Sequence, residues 1–440
     1  MENSSSLQTV AKKITGSITF KSMVIGVLIL LMLIPVSMVR SLITERQRED
    51  SLVKNEISSK WGESQELSGP VIVVPFQRVE KVDKEVSRIR EYAYFLPEKL
   101  NIVGEVVPEI RYRSLYKAVV YQSDIKVSGS FLHPDFSRLD RQPTLIEWEN
   151  AFVSIGISDM RGIRNDIVFN WNGVEEEVSP GSNTHIASSG VSVKIPLSAQ
   201  KQESDGYTFE FDLRLNGSHS LFFTPVGKTT HLEMSSAWET PKFDGAFLPE
   251  QRNVTPQGFT AQWNVYNYNR NFPQMWTGNT YDIHGSQFGV HLIIPVDHYQ
   301  KSERSVKYAI MFIALTFFVF FLVELISRKR IHPLQYLLVS IGLILFYTLL
   351  LSLSEHMNFN LAYFLSAIAV VTLITGYSHS IFKEKKQTFL MGGFFSLLYI
   401  FLFTVLQMED LALLIGSIGL FVALAVVMYI SRKVDWYHSH

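Results

Sequence analysis

The sequence predicts a membrane protein: six transmembrane α-helices, one N-terminal and five C-terminal, with a large, predominantly β extracytoplasmic domain between the first helix and the second. Three observations predict this fold class. Apolar stretches long enough to cross a hydrocarbon core about 30 Å thick occur once near the N-terminus and five times after residue 307. About 270 residues of ordinary soluble composition lie between them. Lys and Arg are concentrated in alternate loops.

Six apolar stretches are the predicted spans. They are Met23–Val39, Tyr308–Ile326, Pro333–Leu353, Leu361–Ile381, Thr388–Gln407 and Leu411–Ile430. The first lacks a small-x-small cleavage site before Arg40, so we expect an uncleaved anchor. The predicted organisation is a cytoplasmic tail (1–22), a first span (23–39), a periplasmic β-rich domain (40–307), a five-helix membrane block (308–430) and a second cytoplasmic tail (431–440).

The distribution of charge orients these spans. Basic residues cluster at Lys12, Lys13 and Lys21, at Arg328–Arg330, at Lys383, Lys385 and Lys386, and at Arg432 and Lys433. The loops Glu355–Asn360 and Met408–Asp410 contain no Lys or Arg. Because positive residues stay on the cytoplasmic side, both termini are expected inside and the 40–307 domain outside.

Composition excludes several classes of function for the large domain. Its formal net charge is −5, against +4 for the rest of the chain, so it has no basic excess for a nucleic-acid partner. The chain has no cysteine, which excludes disulfides, thiolate chemistry and cysteine metal sites. His284, His291 and His298 are each seven residues apart, a spacing that places successive members on opposite faces of a strand. We therefore expect no metal or cofactor, and no recognised catalytic motif is present.

From Leu67 onwards, short β-branched and aromatic runs separated by Gly, Pro, Asn and Asp indicate β-strands. The clearest are 71–76, 118–127, 152–157, 167–171, 191–195, 208–215 and 290–294. A polar stretch with one weakly apolar face, from Arg40 to Trp61, predicts instead a helix that continues the first span and ends at Gly62.

Several short sequence patterns occur more than once, which we call echoes, and they raise the question of an internal repeat. Gly69–Pro75, Gly190–Pro196 and Gly289–Pro295 share one pattern, a glycine, five residues and a proline. The segment 95–98 recurs at 247–250, and 124–130 recurs approximately at 212–218. Two related β subdomains would explain the echoes, but so would the preference of strand ends for Gly and Pro.

Ionisable residues in or beside the spans are the first functional candidates. Glu324 is the acid within a span, near its cytoplasmic end, where a charge paired with a neighbouring basic residue is the alternative to a proton-relay role. Glu355 and His356, with Glu409 and Asp410, form a predicted polar cluster at the outer face. Such a cluster could line a site or simply be solvated.

Asp159, Arg161 and Gly162 form the candidate in the β domain. A predicted strand runs into a turn that holds an acid and two guanidinium groups, those of Arg161 and Arg164. Arg161 could pair with Asp159 to fix the turn, or bind an anionic ligand in a bidentate manner.

Ordered blocks of family-specific sequence occur along nearly the whole chain. The most specific blocks are His332–Leu338, Leu353–His356 and Asp435–Tyr437. Others are 67–70 with Pro75, 159–163, 247–249, 258–263 and 307–310. Together they resemble the CreD family of inner-membrane proteins, which is associated with cell-envelope integrity in Gram-negative bacteria. At 159–163 the family pattern is Asp-Ala-Arg-Gly-Ile, and this chain has Met160 in place of the alanine.

The resemblance implies an inner-membrane location, control in some bacteria by a carbon-source-responsive two-component system, and an influence on colicin or β-lactam tolerance. It implies no reaction, cofactor or catalytic residue. The leading hypothesis is therefore a non-enzymatic envelope-integrity protein that acts through its periplasmic domain. Its expected partners are the lipid bilayer and other envelope components, and its oligomeric state is open. The alternative is a transporter or lipid-handling protein gated by that domain.

Overall fold

The computed structural model describes residues 18–82, 85–141, 143–199, 206–294, 298–327, 331–408 and 411–432. The chain divides into two compact units, Met1–Glu49 with Val296–His440, and Asp50–Pro295. Several residues used in the sequence analysis lie outside the described residues: Lys12, Lys13, Arg328–Arg330, Glu409, Asp410, Lys433 and the segment 435–437.

The described residues form seven α-helices, most of them apolar. They are α1 (Ile18–Trp61), α2 (His298–Lys307), α3 (Ala309–Ser327), α4 (Pro333–Ser354), α5 (Phe359–Phe382), α6 (Lys385–Gln407) and α7 (Ala412–Ser431). The helix expected to run from the first span to Gly62 is observed as α1, 44 residues long. Gly62 ends it with a φ of +151°, a conformation that residues with a side chain rarely adopt.

Four helices in the described part of the chain are long and apolar enough to cross a membrane: α1, α4, α5 and α6. A fifth crossing results if α2 and α3 form one span bent by 41°. The bend falls where the polar sequence of α2 changes to the apolar sequence of α3. The described apolar part of α7, Leu414–Tyr429, is shorter than the four. The structure thus contains one N-terminal apolar helix and several C-terminal ones.

Each of the seven predicted strand segments overlaps an observed strand, and the β-rich class is confirmed. Eighteen strands are described: β1 (Gln65–Val82), β2 (Glu85–Phe95), β3 (Lys99–Arg113), β4 (Tyr116–Phe131), β5 (Leu145–Ile146), β6 (Phe152–Ile157), β7 (Phe169–Trp171), β8 (Val174–Glu176), β9 (Val178–Pro180), β10 (Gly190–Lys194), β11 (Tyr207–Ser218), β12 (Ser220–Thr224), β13 (Thr229–Ser236), β14 (Pro241–Gly245), β15 (Gln251–Thr255), β16 (Gly258–Tyr266), β17 (Met275–Thr277) and β18 (Phe288–Leu292).

These strands build two sheets. In the first, the order is β14-β18-β12-β1-β6-β10-β9, with β2 and β5 also paired to β1, and β17 paired to β2. In the second, the order is β15-β16-β13-β3-β4-β11-β7-β8. Each sheet contains a parallel pair formed by strands distant in sequence, β1 with β12 and β3 with β13.

One hydrophobic core joins the two sheets. Along β3 and β11 the side chains alternate between buried and exposed, so one face of the second sheet points inward and the other toward solvent. Strands β6 and β10 of the first sheet are almost continuously buried. Side chains of both sheets belong to the same buried cluster, as Val73, Phe223, Leu213 and Trp263 illustrate. This core holds the domain together without disulfides.

The three Gly-x5-Pro echoes all begin in the first sheet, in β1, β10 and β18, and the packing explains their glycines. A Cβ on Gly190 would lie 2.1 Å from the carbonyl oxygen of Ile155, and one on Gly289 would lie 2.1 Å from that of Leu221. At Gly69 the corresponding distance to the Ser154 oxygen is 2.8 Å. Each glycine therefore marks a close approach of the neighbouring strand, a requirement that needs no duplication of the chain.

This close approach predicts the effect of adding one methyl group. We expect Gly289→Ala to destabilise the domain by about 1–3 kcal/mol, because β18 must move away from β12. Gly104→Ala in β3 is the matched control, since nothing lies within 4 Å of its added Cβ. Thermal unfolding of the purified full chain, followed by tryptophan fluorescence, measures both. Equal unfolding temperatures for the two variants would contradict the prediction.

Candidate functional site

Asp159 and Arg161 lie at a short 3-10 turn, Met160–Gly162, that follows β6. The guanidinium group of Arg161 donates to both carboxylate oxygens of Asp159, from Nε at 2.9 Å and from a terminal nitrogen at 3.0 Å. It also donates to Glu63 Oε1 and to the carbonyl oxygen of Ser59, both at 2.9 Å. Because all three of its nitrogens already donate, Arg161 binds the end of α1 to the turn. The turn-fixing alternative matches this geometry better than a bidentate ligand site.

Asp159 receives hydrogen bonds from the backbone as well. It is 8% exposed and accepts from the backbone N–H of Glu63 at 2.9 Å and of Arg161 at 3.1 Å. Burial alone would raise the pKa of Asp159, but the hydrogen bonds from Arg161 and from the two backbone groups hold that pKa below its usual range. The carboxylate is accordingly fixed in its charged form.

Gly162 is required by close packing. A Cβ at this position would meet the carbonyl oxygen of Asn216 at 2.3 Å and Nε2 of Gln65 at 2.4 Å. Gln65 is 1% exposed and donates to the carbonyl oxygens of Asp159 and Asn216 at 2.9 and 3.0 Å. The three candidate residues and Gln65 therefore form one structural unit with β11, which we call the Arg161 junction.

The last turns of α1 have further partners in the β domain. Trp61 donates from its indole nitrogen to the carbonyl oxygen of Tyr121 at 3.2 Å, and the guanidinium group of Arg111 lies 3.7 Å from the Trp61 ring centroid. Ser58 Oγ lies 3.2 Å from His219 Nε2. Hydrogen bonds from Arg113 and Lys60 lower the pKa of Glu56 to about 2. The helix end is thus held by β3, β4 and the segment after β11.

Glu324 lies near the end of α3 and is 5% exposed. Its carboxylate forms an ion pair with Lys21 of α1. It also accepts from the backbone N–H of Ile331 at 3.0 Å and from the Tyr336 hydroxyl of α4 at 3.1 Å. This basic partner lies 303 positions away in sequence and is not one of the neighbouring basic residues considered from the sequence. A carboxylate held by three donors suits a fixed structural role better than a proton relay.

A second set of polar contacts occurs further along α1. Arg40 lies 3.4 Å from Glu303 of α2, and Arg46 Nε lies 3.9 Å from Glu355 Oε1. Glu355 ends α4 and accepts from the Tyr299 hydroxyl at 3.3 Å. Lys21 and Arg40 are 19 residues apart, or about 28 Å along a helix, which is close to the thickness of a hydrocarbon core. The two sets of contacts thus bracket the apolar part of α1.

The outer-face cluster is described only in part. Glu355 is fixed by Arg46 and Tyr299, His356 is exposed, and Glu409 and Asp410 lie outside the described residues. Among the described residues, no group of three or more His, Asp or Glu side chains could hold a metal ion. His284 contacts Glu66 and His291 lies near Asp244, so these two histidines have different partners.

His332 has a local structural role at the start of α4. Its ring Nδ1 accepts from the backbone N–H of Leu334 at 3.2 Å, and the backbone N–H of His332 donates to Gln335 Oε1 at 3.0 Å. Pro333 occupies the first helical position, where no donor is needed. The His-Pro-Leu-Gln block is therefore a reciprocal helix cap.

A surface cavity of about 510 Å³ that no sequence pattern predicted lies in the β domain. Carboxylates and one ammonium group surround it beside a short apolar wall. Its lining residues are Glu149, Glu176, Glu177, Lys194, Ile195, Pro196 and Leu197. No motif marks these residues, which come from separate loops and strands.

Comparison with known proteins agrees with the family resemblance. A family model described as inner membrane protein CreD matches residues 17–437. Inner membrane protein CreD of Escherichia coli (strain K12) is 34% identical over 416 residues, which cover 93% of this chain and 91% of that protein. The Arg161 junction, the Glu324 contacts and the His332 cap all lie within the matched residues.

The Arg161 junction predicts a pH-dependent loss of stability on substitution. Asp159→Asn places an amide N–H against existing donors, so we expect it to destabilise the domain by about 1–3 kcal/mol at neutral pH. Because the folded pKa of Asp159 is depressed, this contribution is present above its unfolded value of about 3.9 and disappears as the pH falls through the folded value. Urea unfolding at several pH values measures it. The exposed Asp166→Asn is the control, and an equal loss in both variants would refute the role of Asp159.

The buried Glu324 ion pair predicts a second loss of stability on substitution. Removing one partner of a buried pair costs about 3–5 kcal/mol, and we expect less for Glu324→Gln because Lys21 is 28% exposed. Glu303→Gln is the matched control, since the Arg40 and Glu303 side chains are both more exposed. Thermal unfolding in detergent distinguishes them. A Glu324→Gln protein as stable as Glu303→Gln would contradict the prediction.

Proposed function

The chain belongs to the CreD family of inner membrane proteins, and from this premise we propose that it supports the integrity of the cell envelope through its β domain, without catalysing a reaction. In this proposal six spans, from Met23–Val39 to Leu411–Ile430, hold the protein in the inner membrane. Both termini lie in the cytoplasm and the 40–307 domain lies in the periplasm. There the domain contacts other envelope components.

The Arg161 junction is the observation that supports this function best. The segment Glu56–Glu63 is tied to the β domain by an ion-paired guanidinium group, a buried glutamine and an indole hydrogen bond. Such firm attachment suits a domain whose function depends on being anchored. The described side chains of the junction are occupied by one another, which leaves no nucleophile and general base poised for a substrate.

The polar contacts of α1 support the proposed orientation. Lys21 and Glu324 lie at the end that the positive-inside rule assigns to the cytoplasm. Arg40, Arg46, Glu303 and Glu355 lie toward the end assigned to the periplasm. Charged side chains at both limits of an apolar stretch are consistent with interfacial placement at each.

The alternative, a transporter or lipid-handling protein, requires a titratable group in the helical unit. Its candidates are Glu324, Glu355 and His356. Glu324 is held by Lys21, by the backbone N–H of Ile331 and by the Tyr336 hydroxyl, so this residue fits a structural role better. The complementation test below distinguishes this alternative from the proposed function.

Complementation of a deletion strain tests the proposed function. We expect Asp159→Asn to reduce tolerance of envelope-active antibiotics and detergents, while Asp166→Asn and Glu355→Gln restore it fully. Immunoblots of membrane fractions must show equal protein amounts. Full activity of Asp159→Asn at equal amounts would refute the importance of the junction. Loss of activity in a well-folded Glu355→Gln protein would instead favour the transporter alternative.

Three further experiments address placement, partners and catalysis. A disulfide-dependent phosphatase reporter fused at residue 200 is expected to be active, because its disulfides form only outside the cytoplasm. An inactive fusion would overturn the orientation. Photocrosslinking from the exposed face of β3 and β4 in living cells is expected to trap an envelope protein. Purified protein that turns over a substrate would refute the non-enzymatic proposal.

A further inference from the structure

His284 makes two hydrogen bonds that a neutral imidazole cannot make together. It begins the 3-10 turn His284–Ser286, which follows β17. Its Nδ1 lies 2.8 Å from Glu66 Oε1, and its Nε2 lies 2.8 Å from the carbonyl oxygen of Ile186. Neutral imidazole has one N–H donor, whereas both of these partners are acceptors. The geometry therefore requires the doubly protonated, charged form.

These contacts join three separate segments of the β domain. Glu66 belongs to β1 and also accepts from the Thr224 hydroxyl, at the end of β12, at 2.9 Å. Ile186 lies in the middle of the loop 181–189 between β9 and β10, and its side chain packs against the hydrophobic core. His284 thus holds the middle of this loop against the first sheet.

Other groups also hold this loop. Ser154 Oγ donates to the carbonyl oxygen of Ser182 at 2.8 Å, and Ser182 Oγ donates to that of Ala187 at 2.7 Å. The backbone of His185 is hydrogen-bonded to Tyr94. Loss of the His284 contact would therefore loosen the loop around Ile186, while these other contacts stay in place.

We propose that His284 is a pH-sensitive clasp, which holds the loop 181–189 against β1 in acidic surroundings and releases it as the pH rises. Deprotonation removes one of the two N–H donors, so His284 can no longer bridge Glu66 of β1 and the Ile186 carbonyl oxygen of the loop. The use of this clasp to sense conditions in the envelope rests on the proposed function, but the protonation chemistry does not.

The groups around His284 set the direction of the effect. Burial alone would lower the pKa of His284, but the hydrogen bond and charge of Glu66, the Ile186 carbonyl and the charge of Asp282 together raise it above the ordinary value of about 6.5. On the loop itself, the other ionisable side chain is the exposed His185. Because the folded pKa is raised, the stabilisation is complete below the unfolded value and disappears as the pH rises through the folded value.

Two other histidines in the domain have the opposite effect on the pH dependence of stability. Burial lowers the pKa of His219 and of His291, so these groups favour the folded state as the pH rises. The pH dependence of wild-type stability is therefore the sum of opposing contributions from these histidines. The difference between wild type and a His284 variant isolates the clasp.

Hydrogen exchange of the full chain in lipid nanodiscs tests the proposal. Peptides covering 181–189 are compared at pH 5.5 and pH 8, after correction for the intrinsic exchange rate, in wild type, His284→Gln and the control His185→Gln. We expect several-fold higher protection at the lower pH in wild type and His185→Gln, and low protection at both values in His284→Gln. The unfolding temperature of wild type should exceed that of His284→Gln by ~2–4 °C at pH 5.5, and the gap should close at pH 8.

The same protection profile in wild type and His284→Gln would overturn the proposal. If His284→Gln does not fold, Glu66→Gln provides the second test, because a neutral acceptor lowers the pKa of His284 and should move the protection midpoint to lower pH. An unmoved midpoint would also overturn it. These outcomes are independent of the complementation result, so a failure of the clasp and a failure of the envelope function can be told apart.

Discussion

The ion-paired guanidinium group of Arg161 fixes the end of α1 within the β domain. It joins this helix end to the turn after β6 and, through Gln65, to the strand β11. The helix end and the turn are about 100 residues apart in sequence, and a bidentate pair fixes direction as well as distance. A lysine could neutralise the same carboxylates but could not hold them in one plane with the Ser59 carbonyl oxygen.

In the helical unit, ion pairs likewise join segments that are far apart in sequence, but with fewer contacts. Most of the membrane-length part of α1 is exposed in the structure, as suits side chains that face lipid, and its buried apolar residues include Met32, Val39 and Ile43. Lipid tails are as apolar as leucine, so apolar contact alone gives little preference for one position along the partner helices. The ion pairs of Lys21 with Glu324 and of Arg40 with Glu303 supply that preference at the two ends.

Local patterns in the sequence predicted the elements of the fold well. Apolar length predicted the membrane helices, β-branched and aromatic runs between Gly, Pro, Asn and Asp predicted the strands, and Gly62 predicted the end of α1, because each is decided by neighbours in the chain. Pairing between distant segments was not predictable. The parallel pair β1 and β12 and the contact of Arg161 with Glu63 depend on the packing of the whole domain. The bend at Tyr308 was missed because hydropathy reports composition and not the direction of a helix axis.

The sequence also predicted which candidate residues to study, but not what they do. Asp159 and Arg161 were recognised as an acid and a base in one turn, whereas their partners Glu63 and Ser59 carry no local signal. His332 was noted through a family block, and its role as a cap becomes visible only from the hydrogen bonds to Leu334 and Gln335. His284 was dismissed as a metal ligand, and its two acceptors lie on strands and loops far away in sequence.

The sequence separation of Lys21 and Glu324 has a consequence for biogenesis. At synthesis rates of about 5–20 residues per second, the 303 residues between them take roughly 15–60 s to make. During that time Lys21 of α1 has no Glu324 to pair with, while the whole β domain is synthesised. The ion pair can therefore form only after the β domain has been made, and a chain truncated before residue 324 would contain α1 without this partner.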